Sequence, residues 1–199
     1  VMRLSADDSL LLMVDFQAGL LPAIEDADAA VQEAGWLGGV AGELGVPIWL
    51  TEQAPEKIGH SVSALTERLG EHRVWEKRHF GVMEEPDFRR ALEATKRRQI
   101  VICGAEAHIC VLQSALGLLE AGYELYWLVD ASVSRWRQEA SLALARLQGH
   151  GGIGVSADMV AYEWLYRCDG ELFSRVHRHF LKPRAGREVR FFSADSRSA

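Results

Sequence analysis

The sequence predicts a single three-layer α/β domain. The expected core is a doubly wound parallel sheet of about six strands, in the order 3-2-1-4-5-6, covered by helices on both faces. Three observations predict it. Apolar runs of strand length alternate with longer amphipathic segments along the chain. The runs are continuous rather than alternating, as in strands buried on both faces. The length, 199 residues, fits one domain with a sizeable core.

The elements follow in order. Ser9 to Asp15 is the first strand, and a helix is expected from about Asp28 to Leu44. Val46 to Leu50 is the second strand, and Arg73 to Glu76 a short third one. The segment from Pro86 to Lys96 reads as a helix, with proline in its first turn. Gln99 to Cys103 is the fourth strand. After a turn, apolar residues at Val111, Leu112, Ala115, Leu118 and Leu119 keep helical spacing, and Gly122 stops that helix. Glu124 to Val129 is the fifth strand, Arg135 to Leu147 a helix, and Gly152 to Val155 a weak sixth strand. Helices are expected over about Ala157 to Tyr166 and Gly170 to His179. The domain is taken as residues 1–181, with no internal repeat or long linker. The polar tail 182–199 is expected to be either disordered or an arm packed on a neighbouring subunit; Phe191 and Phe192 favour the arm.

Composition narrows the function. A formal net charge of −6 disfavours broad binding to nucleic acid or membrane surfaces. The short cluster Lys96-Arg97-Arg98 suits the C-terminal end of a solvated helix. Cys103, Cys110 and Cys168 form an odd set without paired spacing, which gives no disulfide framework and fits a reducing cytoplasm. No apolar run has membrane-spanning length, and no basic region precedes the first apolar segment.

The chemistry is expected at the carboxyl ends of the strands, where strand order reverses between the first and the fourth. Asp15 ends the first strand. Cys110 opens the helix after the fourth, where backbone N–H groups and the helix dipole favour a thiolate. An acid beside a thiol is a base-plus-nucleophile pair. The alternatives are a strand-end carboxylate and a small buried hydrophobe. Lys77 lies just past the third strand, on the order of 10 Å from the first. Alone it reads as a surface residue. The turn after the first strand has no G-x-G-x-x-G, and no Walker motif occurs, so a nucleotide-binding oxidoreductase is disfavoured. Gly151-Gly152-Ile153-Gly154 reads as a turn.

Leu12-Met13-Val14-Asp15-Phe16-Gln17, Lys77-Arg78-His79-Phe80 and Gly104-Ala105-Glu106-Ala107-His108-Ile109-Cys110-Val111, continued by Val129 to Arg135, resemble the isochorismatase-like cysteine hydrolases. That superfamily includes nicotinamidases and N-carbamoylsarcosine amidases. Thr51-Glu52-Gln53 and Ser156 to Ala161 are most similar to its isochorismatase-domain-containing subgroup. The resemblance implies a triad of Asp15, Lys77 and Cys110. It implies a cis peptide at Ala105–Glu106 and an oxyanion hole from the N–H groups of Glu106 and Cys110. It implies cleavage of a small amide-like substrate through a thioester, without a cofactor, by a homo-oligomer, a dimer or tetramer. Gln17, Phe16, Phe80 and His108 are candidates to line the substrate pocket, each with a core or turn reading beside it. His79, Leu20, Leu21 and Trp136 are further candidates. The alternative is a catalytically inactive member of the same fold that serves as a binding module.

Departures qualify the resemblance. Isochorismatases proper lack the cysteine. Nicotinamidases carry an Asp-x-His metal segment after the second strand, where this chain has Thr51-Glu52-Gln53 and nearby His60. No metal is therefore expected, since Glu52 and His60 would make only a partial site. Cys103 is expected in the core, and Cys168 has no assigned role.

Overall fold

The computed structural model describes residues 3–187. Its sheet is parallel throughout, with the order β3-β2-β1-β4-β5-β6. The strands are β1 (Ser9–Val14), β2 (Ile48–Gln53), β3 (Arg73–Lys77), β4 (Gln99–Ala105), β5 (Glu124–Val133) and β6 (Ile153–Val155). The helices are α1 (Ala27–Leu44), α2 (Pro55–Ile58), α3 (Ser63–Thr66), α4 (Pro86–Thr95), α5 (Leu112–Glu120), α6 (Arg137–Gly149), α7 (Ala157–Leu165) and α8 (Gly170–Val176).

Two apolar layers hold the sheet. Leu11, Met13, Val101 and Cys103 face one side with α1 and α7. Leu10, Leu12, Ile100 and Ile102 face the other with α4, α5 and α6. Alternate residues of each central strand thus enter opposite layers, which is why those strands read as unbroken apolar runs.

The strands run further at their carboxyl ends than apolarity predicts. β2 extends through Thr51, Glu52 and Gln53, all buried. β4 extends to Ala105, and β5 passes Asp130 and Ser132 to reach Val133. These polar extensions are paid out toward one rim of the sheet. Gly104 allows the closest approach there: a Cβ on it would lie 2.0 Å from Val14 O.

The described part of the tail is docked rather than loose. Arg184 reaches Glu33 on α1 at 3.0 Å and Asp158 on α7 at 2.8 Å. Arg187 reaches Glu33 at 3.1 Å and buried Asp130 at 3.2 Å. Phe191, Phe192 and the rest of 188–199 lie outside the described residues. No helix among the described residues is long and apolar enough to cross a membrane.

Candidate active site

Four strands deliver the site. β1 ends at Val14, and Asp15 follows with φ +52°, a left-handed turn that Asp tolerates better than most residues. This turn takes the main chain out of the sheet and leaves the Asp15 side chain at the strand end, fully buried. β3 ends at Lys77, which is also fully buried. The Lys77 Nζ lies 2.8 Å from Asp15 Oδ2, with both side chains at 0% exposure. The lysine that reads as a surface residue from its flanks is therefore half of a wholly desolvated ion pair.

Hydrogen bonds support both members of the pair. Thr51 Oγ1 donates to Asp15 Oδ1 at 2.6 Å. Beyond its ion pair with Asp15, Lys77 Nζ donates to Gln53 Oε1 at 2.6 Å and to the carbonyl of Phe80 at 3.0 Å, with that of His79 at 3.3 Å. A buried ion pair persists only with such supporting hydrogen bonds. With those acceptors around three N–H groups, Lys77 is an electrostatic fixture.

Cys110 comes from the turn after β4. The Ala105–Glu106 peptide is cis. A wide π-type turn spans Ala107–Val111 and runs directly into α5. The helical stretch thus starts three residues before the expected position, and Cys110 is its fourth residue. Its side chain is nearly buried, at 6% exposure. Its thiol is 3.9 Å from Gln53 Oε1 and interacts with both Asp15 and Lys77. The sequence favours a thiolate here; the structure reverses that. Burial, then the charge of Asp15, outweigh Lys77 and push the thiol up to about 12. The resting sulfur is protonated beside a carboxylate.

Glu106 turns its side chain away from the thiol. Arg135 grips its carboxylate through Nε at 3.0 Å and through its backbone N–H at 3.1 Å. Burial opposes ionisation of Glu106, but the Arg135 hydrogen bonds win and hold it below the usual carboxylate range. His108 Nδ1 lies 2.8 Å from Ser134 Oγ. Arg135 and Ser134, from the end of β5, thus brace the turn that carries Cys110. Asp130 is engaged elsewhere, with the N–H of Ala157 and with Arg187.

The candidate pocket residues divide. Phe16 is 1% exposed and packs in the α1-side core. Gln17 is fully buried and its amide is spent on backbone: Nε2 donates to Gln53 O at 3.0 Å and Gly59 O at 2.6 Å, while Oε1 accepts from Gln53 N at 2.7 Å. Neither side chain presents a free polar group to a substrate. Phe80 and Trp136 are more than half exposed, and His79 pairs with Glu85 at 3.0 Å. Cys103 is buried on the opposite face, where burial and Asp130 push its thiol up; Cys168 is exposed.

Thr51 and Gln53 are the site residues that sequence reading did not single out. The signal was a polar triplet at the carboxyl end of a strand adjacent to β1. Between them, Glu52 points away from Asp15. Its carboxylate accepts from Ser61 N at 2.7 Å and Ser61 Oγ at 2.8 Å, and meets His60 Nδ1 at 2.9 Å. Those two residues are committed to each other and to Ser61, and among the described residues no group of three His, Cys, Asp or Glu could hold a metal ion.

Comparison with known proteins agrees with this architecture. The Isochorismatase domain family model matches residues 9–159. Isochorismatase family protein 1A of Dictyostelium discoideum is 30% identical over 165 residues, which span 81% of this chain and 80% of that protein. The MAR1 ribonuclease of Caenorhabditis elegans superposes with a TM-score of 0.84 at 28% identity, over 90% of this chain and 92% of that one. The YcaC gene product of Escherichia coli, an octameric hydrolase of unknown specificity, does so with a TM-score of 0.83 at 25% identity, over 93% and 94% of the two chains. With the family model matching residues 9–159 and a relative 30% identical over most of both chains, on a parallel sheet of this order, the chain belongs to the isochorismatase family.

Proposed function

We propose that this chain is a cysteine hydrolase that cleaves the C–N bond of a small amide-like substrate through a thioester on Cys110. One observation carries the reading. A fully buried Asp15–Lys77 ion pair is built against a nearly buried thiol at the carboxyl ends of the central strands. Burying two charges is expensive, so a buried ion pair is poorly explained by stability alone. A perturbed thiol set against a buried ion pair at a strand switch point is the signature of a reaction site.

The chemistry follows from the protonation states. Asp15 takes the thiol proton as sulfur attacks the carbonyl carbon, with Lys77 holding the charge of the carboxylate in place. The oxyanion forms beside the N–H groups of Glu106 and Cys110, where each donor is worth about 3–4 kcal/mol of barrier. Asp15 returns the proton to the leaving nitrogen. Water, deprotonated by Asp15, then attacks the thioester carbonyl, the S–C bond breaks, and the released thiolate takes the proton back from Asp15. Gln17 serves this site by clamping the end of β2 rather than by touching substrate; Phe80, Trp136 and His108 remain as mouth residues. Ribonuclease activity, named for the nematode relative, is disfavoured here by the net charge of −6. The octameric relative favours self-association, and three unpaired cysteines suit the reducing cytoplasm.

The test is a panel of small carboxamides, ureas and activated esters, scored for release of amine or alcohol by the native protein and by Cys110→Ala. Turnover lost in the folded alanine variant supports the reading. An active alanine variant overturns it. The second reading, a binding module with an idle triad, draws on the burial of Cys110 and predicts no turnover of any member.

A further inference from the structure

The side chain of Gln53 stands between the two groups whose arrangement governs Cys110. Its Oε1 accepts from Lys77 Nζ at 2.6 Å, and the Cys110 thiol reaches the same oxygen at 3.9 Å. Its Nε2 donates to Arg78 O at 3.0 Å. These contacts fix the sense of the amide, because half a turn would set an NH2 against an ammonium and a carbonyl against a carbonyl. The main chain of Gln53 is held as firmly. Asp15 turns the backbone away from β2, and the Gln17 amide takes its place, pairing with both N–H and C=O of Gln53 as a neighbouring strand would. Gln17 is itself tied to Gly59 O at 2.6 Å. The Gln53 carbonyl is thus fixed from both ends.

We propose that Gln53 is a positioning residue that sets the proton affinity of Cys110: its carbonyl oxygen holds the thiol proton in the resting site and keeps the Lys77 ammonium in line with Asp15. The inference rests on Cys110 being the reacting thiol. A fixed dipole with its negative end toward sulfur favours the thiol over the thiolate. The charged groups facing Cys110 are Asp15 at the end of β1 and Lys77 on β3. On its own turn, Glu106 is taken by Arg135 and His108 by Ser134. Gln53 is the neutral contact of this set, so its acceptor strength can be altered without removing a buried charge. Activation is then a proton handover: the S–H bond breaks, an O–H bond forms on Asp15, and sulfur keeps the electron pair.

The experiment measures alkylation of Cys110 by iodoacetamide against pH in Gln53→Met and Gln53→Glu, with peptide mass spectrometry and Cys168 as internal reference. Circular dichroism checks folding. Both variants lose the donor to Arg78, so a purely structural role moves both in the same direction. The proposal predicts opposite directions. Methionine removes the acceptor and lowers the apparent thiol pKa by about one unit, which speeds alkylation near neutral pH roughly three- to fourfold once the thiolate's weaker nucleophilicity is counted. Glutamate adds a carboxylate against the sulfur and slows alkylation. Gln53→Asn, which withdraws the carbonyl by one methylene, must follow methionine; it substitutes if the methionine variant does not fold. Shifts of the same sign, or none, overturn the proposal. Hydrolysis by Cys110→Ala is scored separately, so failure of the hydrolase reading is distinguished from failure of this one.

Discussion

Replacing Lys77 with methionine removes one charge from a site that excludes water. Methionine nearly matches the lysine stem in length, so the volume stays filled and the change is mainly electrostatic. Lys77 and Asp15 are both at 0% side-chain exposure and 2.8 Å apart. The variant leaves the Asp15 carboxylate buried, with Thr51 Oγ1 still donating to Oδ1 but no cation beside it. Breaking a buried pair by removing one partner costs about 3–5 kcal/mol. At about 2–4 °C per kcal/mol for a chain of this length, the melting temperature should fall by about 6–20 °C. Asp15→Asn in the same molecule removes the orphaned charge, and asparagine tolerates the left-handed backbone at that position. The double variant should therefore recover most of the loss. Thermal and urea melts followed by far-ultraviolet circular dichroism measure all three. A Lys77→Met loss below about 1 kcal/mol, the size of an exposed pair, with no recovery in the double variant, would refute the placement of this pair in the interior.

Other outcomes follow from the same geometry. With its thiol pushed up to about 12, Cys110 should alkylate about a hundredfold more slowly than exposed Cys168 at pH 7.5, since a roughly thousandfold smaller thiolate fraction is partly offset by stronger nucleophilicity. Mapping of the alkylated peptides checks this. Asp15→Asn should speed Cys110 alkylation near neutral pH, because a charge that raises the thiol is gone, and yet abolish turnover, because the base is gone. The Glu106 carboxyl is held low in the folded state by Arg135. Its contribution to stability is therefore present above the unfolded value near 4.5 and is lost as pH falls through the folded value. Urea midpoints should show a smaller loss on acidification in Arg135→Ala than in the native protein.

The order of the sheet and the meeting of Asp15 with Cys110 were legible because they rest on apolar periodicity and on one topological rule. Lys77 was legible only through family resemblance. Its flanks, Glu76 and Arg78, are exposed, and nothing local signals that the side chain between them enters the core. Gln53 was hidden for a related reason. The apolar run stops at Leu50, so the strand appears to end there, but Thr51 and Gln53 continue it because Asp15, Gln17, Lys77 and Arg78 satisfy their polar atoms. Polar residues inside a buried strand break the local pattern, and such breaks concentrate where a fold carries its chemistry. The acidity of Cys110 was misjudged because the helix-terminus rule treats the dipole alone. In the folded chain, burial and the nearby carboxylate of Asp15 both oppose the thiolate.

The most direct measurement is the capture of the covalent intermediate. The native protein is mixed with p-nitrophenyl acetate, quenched at short times and mapped by peptide mass spectrometry. The account predicts one acetyl group on Cys110 that forms in a burst of p-nitrophenol and then disappears as product accumulates. In Asp15→Asn the acetyl group should persist, because no base activates water. Acetylation scattered over surface lysines, with Cys110 unmodified and no burst, would contradict a thioester mechanism at this site.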